Sequence, residues 1–428
     1  MKKTFAIFLA ALILLSGCGK KLISDESGEN LNGDSPLFLS ENEEIYNDVE
    51  AVRKKLEYSI LKNLYDEAPF LELEEDIKSG DAKKDEAVFR LMEIISDYDV
   101  SHLYLNANDE ELYRDMFPVM LTWFKEGLFV TDTDDSLKQY LGMKVVGIGG
   151  LSLEKFIDAC AELFPFETDS GRKYVCENGL FPTFLSYLGL LNEDGTLSLK
   201  LLDSNQKEID VFLKAMDRSK IQVASLFGED VPKFYQSYLN SLNYCYETNE
   251  ETGVMFLRYY SCSEDKSYSF EECFLDMCDV MEENGYNKLV FDLRFNGGGN
   301  RMIAREVLGK YAYRLQNVET AVLIGGKTYS AGAQFVEDCM KFLGNVVIVG
   351  EETGQKIKNY TEVKTLDLPS LNCTLYYPTM SDNLTLLKER DKNAGGGIIP
   401  DFENMQSFED FLKGVDTLGQ NTEWFSAD

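Results

Sequence analysis

The chain has 428 residues, of which 44% are hydrophobic, and its 74 acidic residues outnumber its 42 basic ones to give a formal net charge of −32. Such an acidic chain is repelled by nucleic acid and by anionic lipid headgroups, which excludes both as partners of its folded part. The single histidine and the lack of a Cys-x-x-Cys among nine cysteines argue against a zinc site. We therefore expect no metal and no other cofactor.

The N-terminus has the pattern of an export signal. Lys2 and Lys3 precede an apolar run over residues 5–15, which is too short for a stable membrane span. The sequence Leu-Ser-Gly-Cys at residues 15–18 resembles the lipobox of bacterial lipoproteins. It implies cleavage before Cys18, lipidation of that thiol and anchoring to the cell membrane on the side facing away from the cytoplasm. A plain secretory signal or a buried helix is the alternative.

The next segment is predicted to be helical. Ser40 and Glu43 form a capping box, and the apolar spacing predicts a helix from there to about residue 65. A second helix is predicted over residues 85–95. Residues 106–216 mix strands, such as 143–148 and 197–202, with one helix near 153–163.

From Gly253 onward strands and helices alternate. Strands are predicted at residues 254–259, 288–293, 320–324 and 346–349, and the capping pair Ser269 and Glu272 begins a helix that ends at Gly285. Alternation of this kind indicates an α/β layer with parallel strands.

Two strand ends in this layer carry the features of an acyl-transfer site. The strand at 288–293 is followed by three glycines, Gly297 to Gly299, whose backbone N–H groups a ligand can approach closely. The strand at 320–324 is followed by Ser330, at the start of a helical pattern. Together they offer a nucleophile and an oxyanion hole. The alternatives are a simple helix N-cap at Ser330 and a tight glycine turn; a phosphate-binding P-loop is excluded because Ala321 occupies its first glycine position.

Four motifs resemble, in order and spacing, those of the C-terminal-processing and tricorn-core serine peptidases. They are Asp-Leu-Arg-Phe-Asn-Gly-Gly-Gly at 292–299, Thr-Tyr-Ser-Ala at 328–331, Gly-Glu-Glu-Thr at 350–353 and Gly-Ile-Ile-Pro-Asp at 397–401. The resemblance implies an α/β fold with a crotonase/ClpP-like core of repeated ββα units and a divergent PDZ-like domain. The predicted organisation is a signal peptide at 1–17, a flexible tether at 18–40, an N-terminal helical region at 41–105, the PDZ-like domain at 106–216 and the peptidase core at 217–428.

The resemblance also implies roles for individual residues. Ser330 is the nucleophile, and the N–H groups of Ala331 and of Gly297 or Gly298 form the oxyanion hole. Processing peptidases use a lysine about twenty-five residues after the serine, and the nearest lysine here is Lys356. Tricorn-like members use a histidine from an upstream Ser-His segment, which His102 matches. We favour His102 as the general base, because an imidazole titrates near neutrality, and keep Lys356 as the alternative base.

An acid that orients the histidine is also implied, shortly before the Gly-x-x-Pro-Asp motif. Glu389 and Asp391 are the candidates, whereas Asp292 and Arg294 are expected to pin the glycine turn. The sequence thus predicts a lipid-anchored serine peptidase that hydrolyses extended peptides or unfolded proteins, near their C-termini. A catalytically inactive peptide-binding relative and a solute-binding lipoprotein are the other two classes.

Overall fold

The computed structural model describes residues 40–228, 231–391, 396–420 and 423–426. The predicted signal peptide and tether, with the lipidation site Cys18, lie outside the described residues. No helix within the described parts of the chain is long and apolar enough to cross a bilayer, and they contain no cluster of side chains that could hold a metal ion.

The described segments contain thirteen α-helices and eighteen strands. The helices are α1 (Glu41–Glu57), α2 (Ala68–Ser79), α3 (Lys84–Ser96), α4 (Leu153–Ala161), α5 (Asp169–Arg172), α6 (Pro182–Tyr187), α7 (Lys233–Leu239), α8 (Phe270–Asn284), α9 (Met302–Tyr311), α10 (Ala331–Leu343), α11 (Thr385–Arg390), α12 (Phe408–Leu412) and α13 (Thr417–Gln420). The strands are β1 (Tyr104–Ala107), β2 (Asp115–Met116), β3 (Val119–Phe124), β4 (Gly127–Asp134), β5 (Lys144–Ile148), β6 (Leu151–Ser152), β7 (Leu197–Leu202), β8 (Glu208–Leu213), β9 (Met216–Asp217), β10 (Val223–Ser225), β11 (Tyr244–Asn249), β12 (Val254–Tyr259), β13 (Lys288–Asp292), β14 (Glu319–Ile324), β15 (Val346–Gly350), β16 (Lys358–Leu368), β17 (Cys373–Asn383) and β18 (Phe402–Glu403).

The N-terminal helices agree with the prediction at their starts and differ in extent. The Ser40 hydroxyl accepts from the Glu43 backbone at 3.3 Å, and the Glu43 carboxylate accepts from the Ser40 backbone at 2.8 Å, which completes the capping box. Helix α1 ends at Glu57 rather than near residue 65. The Ser59 hydroxyl bonds the carbonyl of Leu56 and so competes with the next helical hydrogen bond. Helix α2, which the sequence analysis missed, ends in the left-handed Gly80.

The central sheet confirms the mixed α/β prediction. Its order is β11-β12-β13-β14-β15-β18; β11 is antiparallel to β12, and every later pair is parallel. One face packs against helices α8, α9 and α10 through buried side chains such as Phe291 and Phe335. The other face packs against C-terminal residues, including Leu418 and Trp424. Both faces are therefore covered, as expected for parallel strands made of continuous apolar runs.

A second sheet fills the middle of the chain, and strands β3 to β8 together with β10 form it. Strand β10 pairs with β4, with Ser225 opposite Asp132. The boundary predicted at residue 216 therefore falls before the last strand of this sheet. Helix α4, predicted near residues 153–163, begins at Leu153 with Ser152 as its N-cap.

A third sheet connects the N-terminal region to the C-terminal half of the chain. Strand β1 pairs with β17, and β17 pairs with β16 in a long antiparallel hairpin. Tyr104 lies opposite Tyr376, and their rings stack at 4.6 Å between centroids. Because His102 is two residues before Tyr104, the pairing of β1 with β17 positions the histidine beside the central sheet.

Candidate active site

Ser330 occupies a strained turn between strand β14 and helix α10. Its backbone has φ 51° and ψ −125°, a region that costs a residue with a side chain about 1–3 kcal/mol and is typical of a nucleophile elbow. Two hydrogen bonds hold the turn: the Thr328 hydroxyl donates to the carbonyl of Leu293 at 2.8 Å, and the Tyr329 N–H donates to the carbonyl of Asn296 at 2.9 Å. The Ser330 hydroxyl makes no capping bond to its own helix. The simple N-cap alternative therefore lacks the hydrogen bond that it requires.

His102 faces this serine. Its Nε2 lies 3.2 Å from the Ser330 Oγ, although the two residues are 228 positions apart in the sequence. The imidazole comes from the turn between α3 and β1. Burial lowers its pKa to about 4, because the charged ring loses water and no carboxylate among the described residues compensates for that loss. The ring is therefore neutral at physiological pH, which is the form a base needs.

The glycine turn after β13 lies against Ser330. Gly298 has φ +108°, and a Cβ at this position would lie 2.6 Å from the Cβ of Ser330, so only glycine fits without displacement. The Gly298 N–H is already engaged, because it donates to the Oδ1 of Asn296 at 2.9 Å. No hydrogen bond from the N–H of Gly297 or of Ala331 is present in the described parts of the chain. Of the predicted oxyanion-hole donors, these two remain available.

Asp292 and Arg294 have the pinning role that the sequence suggested. The Arg294 guanidinium donates to both oxygens of Asp292, at 2.9 and 2.7 Å, and also to both oxygens of Asp416, at 3.1 and 2.9 Å. A second guanidinium, from Arg258, donates to Asp292 at 2.6 Å. Burial alone would raise the pKa of Asp292, but the two arginines lower it well below its ordinary value. This fully paired cluster fixes the start of the glycine turn and has no free group for chemistry.

Gln355, which the sequence analysis missed, is the third side chain at the site. It is fully buried; its Oε1 accepts from the N–H of Ser330, and its Nε2 lies 3.2 Å from the Nδ1 of His102. The signal for it was its position twenty-five residues after Ser330, where a processing peptidase has its lysine. Gln355 follows strand β15 in the chain, the glycine turn follows β13, and Ser330 follows β14. All three groups thus come from the carboxyl ends of neighbouring parallel strands.

The other predicted base and the predicted acids lie elsewhere. Lys356 forms a backbone bridge with Gly397, its N–H donates to Glu167 at 2.9 Å, and no bond from its Nζ to Ser330 is found within the described residues. Lys356 is half-buried, whereas Gln355 is fully buried against His102. Glu389 is exposed on α11, and Asp391 pairs with Arg390 at 3.0 Å. The expectation that an acid orients His102 is therefore wrong in this structure, because Gln355 lies against Nδ1.

Several solved structures share the architecture of this chain. No protein-family model and no curated protein sequence matches the chain. Mature CPAF has a TM-score of 0.58 with it at 11% identity, covering 90% of this chain and 96% of that one. The complex of mature CPAF with lactacystin gives 0.58 and 11%, with coverage of 87% and 96%. The photosystem II D1 C-terminal processing protease is similar at a TM-score of 0.40 and 12% identity, covering 85% and 93%. This chain has the fold of mature CPAF.

Glu167 joins the two segments that carry His102 and Gln355. Its carboxylate accepts from the backbone and the hydroxyl of Ser101, at 3.0 and 2.6 Å, and from the backbone of Lys356 at 2.9 Å. Burial raises its pKa, and these hydrogen bonds lower it in part. One buried carboxylate thus holds the neighbour of the histidine and the neighbour of the glutamine together.

The site opens into a cleft with a volume of about 1910 Å³. This is larger than the roughly 300–1,000 Å³ typical of a small-molecule pocket, so the cleft has room for several residues of an extended chain. Strand β3 and the glycine turn contribute to its walls, together with aromatic side chains such as Trp123, Tyr238 and Phe295. His102 and Ser330 line the cleft, whereas Lys356 does not.

Proposed function

We propose that this protein is a serine peptidase in which Ser330 is the nucleophile and His102 is the general base. One observation carries the proposal: in a protease fold, a serine in the strained conformation of a nucleophile elbow lies 3.2 Å from the Nε2 of the protein's single histidine. In this mechanism Ser330 attacks the scissile carbonyl and forms an acyl-enzyme. His102 takes the serine proton and passes it to the leaving amine, and water then releases the acyl group.

The oxyanion hole in this proposal consists of the N–H groups of Ala331 and Gly297. Both flank the nucleophile, and neither donates elsewhere within the described residues. The Ala331 N–H is also the first of helix α10, so it lies in the positive field of the helix N-terminus. The two groups would stabilise the charge that develops on the substrate oxygen. Gly298 shapes the turn and keeps its N–H on Asn296.

The substrate class follows from the cleft. An extended peptide or a segment of an unfolded protein fits a cleft of this volume with aromatic walls. Cleavage near the C-terminus of the substrate is proposed from the resemblance of the motifs alone. We propose that the sheet of β3 to β8 and β10 is the divergent PDZ-like domain and grips the peptide backbone by strand addition. The central sheet with helices α8 to α10 is proposed to be the crotonase-like core.

The location of the enzyme is proposed from the sequence. Residues 1–17 act as a lipoprotein signal, and Cys18 carries the acyl chains that anchor the mature protein to the membrane, facing away from the cytoplasm. Buried acyl chains contribute about 0.8 kcal/mol per CH₂, so more than one chain on a single cysteine gives stable anchoring. Cell fractionation tests this proposal. Cys18→Ser is expected to move the protein to the soluble fraction, and its retention in the membrane would contradict the anchor.

One observation favours a second candidate, the peptide-binding relative that does not cleave. An amide, from Gln355, lies against His102 where a triad has a carboxylate. A fluorophosphonate probe, which reacts with an activated serine, separates the two candidates. Peptidase activity predicts covalent labelling at Ser330 and its loss in His102→Gln. Peptide binding to the purified protein without any labelling would favour the second candidate.

A further inference from the structure

The side-chain amide of Gln355 is held between two nitrogens of the candidate site. One is the backbone nitrogen of Ser330, and the other is the Nδ1 of His102, at 3.2 Å. Gln355 is fully buried, so no water competes for either contact. The backbone approach to Gln355 is fixed as well, because the Thr353 hydroxyl donates to the carbonyl of Gln355 at 2.9 Å.

The orientation of this amide follows from which atoms can donate. A backbone N–H is only a donor, so the amide atom that faces Ser330 must be the acceptor Oε1. The other amide atom, the NH₂ group, therefore faces Nδ1 of His102 and donates to it. An Nδ1 that accepts a hydrogen bond carries no proton, and a neutral imidazole then has its proton on Nε2.

This tautomer is the wrong one for a general base. A proton on Nε2 makes that nitrogen a donor to the Ser330 Oγ, whereas a base must present a bare Nε2 to the serine O–H. An imidazolium is disfavoured too, because its Nδ1–H would face the NH₂ of Gln355, donor against donor. Burial disfavours the imidazolium as well and lowers the pKa of His102 to about 4.

We propose that Gln355 is a positioning residue that holds the resting His102 as its Nε2–H tautomer, and that the Gln355 amide must turn before His102 can accept the Ser330 proton. After this rotation of the Gln355 amide, its Oε1 accepts a hydrogen bond from Nδ1–H of His102, and Nε2 carries no proton. The ring loses one proton from Nε2 to water in the cleft and gains one at Nδ1 from a water that reaches this nitrogen while the amide is displaced, so no net proton is consumed. The rotated amide places its NH₂ group against the N–H of Ser330, so two donors face each other. The resting arrangement is therefore the more stable one, and it is the one in the structure. The proposal rests on the peptidase function proposed above, because it describes the resting, inactive state of that peptidase.

The single histidine makes the tautomer directly measurable. In protein labelled with ¹⁵N-histidine, the two ring nitrogens of His102 give the only imidazole signals, and His102→Gln removes them as the control. At about pH 7, where the neutral ring is expected, we expect a protonated Nε2 and a bare Nδ1. A protonated Nδ1 in the wild type would overturn the inference and leave the peptidase proposal untouched.

Gln355→Glu is the informative variant. A carboxylate accepts from both neighbours at once, so the N–H of Ser330 keeps its partner while Nδ1–H gains one. We expect the tautomer to change to Nδ1–H and kcat to rise about tenfold or more, on the scale of general-base catalysis, with little change in KM. An unchanged tautomer together with an unchanged kcat would contradict the inference.

Gln355→Leu is a second variant, needed in case Gln355→Glu fails to fold because it buries a charge. Leucine removes the donor to Nδ1 without adding an acceptor, so an Nδ1–H would be an unpaired buried donor and the Nε2–H tautomer should persist. We expect no rise in kcat, and a rise as large as in Gln355→Glu would overturn the inference. A separate result would end the peptidase proposal alone: the tautomers behave as stated, yet the fluorophosphonate labels Ser330 in neither the wild type nor Gln355→Glu.

Discussion

The two halves of the candidate site are built in different ways. The nucleophile half comprises the glycine turn and Ser330, and it is formed by two neighbouring parallel strands of one sheet. The base half comprises His102 and Gln355, which come from the N-terminal region and from the segment after β15 and which Glu167 holds together. The first half is local and fixed by backbone geometry. The second half depends on a few side-chain contacts between distant segments, so it is the half in which a single substitution changes the chemistry most easily.

The largest effect is expected from removing the nucleophile. Ser330→Ala should lower kcat on the order of 10⁶-fold, the scale seen when a serine protease loses its nucleophile. The melting temperature should stay nearly unchanged, because the hydroxyl caps no helix and its one described contact is with His102. Peptide hydrolysis and thermal unfolding measure the two quantities. Ser381→Ala, at another serine lining the cleft, is the matched control. Unaltered turnover in Ser330→Ala would remove the nucleophile assignment.

The same contrast explains what could be predicted from the sequence. Ser330 and its glycines were predictable because strand, turn and helix follow one another locally, and each element has its own pattern. His102 was reached only through a family resemblance, since no periodicity connects residues 228 positions apart. Gln355 was missed because an amide carries no motif. The spacing after Ser330 pointed to its position, but the residue type directed the prediction to the next residue, Lys356, which does not line the cleft.

The base half is tested by His102→Gln. We expect a loss of about 10²–10⁴-fold in kcat, because a general base contributes on that scale. Lys356→Ala should change kcat little, since no bond from the Lys356 ammonium to Ser330 is found in the described residues. Steady-state kinetics of both variants on one peptide measures the difference. The reverse result, tolerance of His102→Gln with loss in Lys356→Ala, would exchange the two assignments.

The rigidity of the nucleophile half is tested at Gly298. Gly298→Ala places a Cβ 2.6 Å from the Cβ of Ser330, so the serine must move. A displacement of about 1 Å costs on the order of 10²-fold in rate, and that is the loss we expect in kcat. Gly195→Ala is the control, because it has a similar positive φ of +76° and open space around it. Equal activity in the two variants would mean that Ser330 tolerates the contact.

A smaller effect is expected from loosening the base half at Glu167. In Glu167→Gln the amide can still accept from Ser101, but its NH₂ then faces the N–H of Lys356, and this buried donor loses its partner. We expect unfolding to become easier by about 1–3 kcal/mol and kcat to fall roughly tenfold as His102 and Gln355 separate. Urea unfolding and kinetics measure both. As a control, Glu162→Gln at an exposed position in the same loop should leave the free energy of unfolding and kcat unchanged. If Glu167→Gln also leaves them unchanged, the hydrogen bonds of Glu167 are not needed to hold the two segments together.

The smallest expected effect is the change of kcat/KM with pH. A nearly flat profile would indicate a buried histidine, and a steep one an exposed histidine. The base is the neutral ring, so lowering its pKa to about 4 extends the active range toward acid. An ordinary histidine with a pKa near 6.5 would lose about tenfold in kcat/KM between pH 7.5 and about 5.5, whereas we expect less than about a twofold change. Burial also raises the pKa of Glu167, and it raises the pKa of Asp132, which lines the same cleft, to about 6. An acid limb that disappears in Glu167→Gln or in Asp132→Asn would belong to that carboxyl, and one near pH 4 that persists belongs to His102. A tenfold fall already at about pH 5.5 that persists in both variants would show that the imidazole is solvated, and the base half would then be more open than this structure has it.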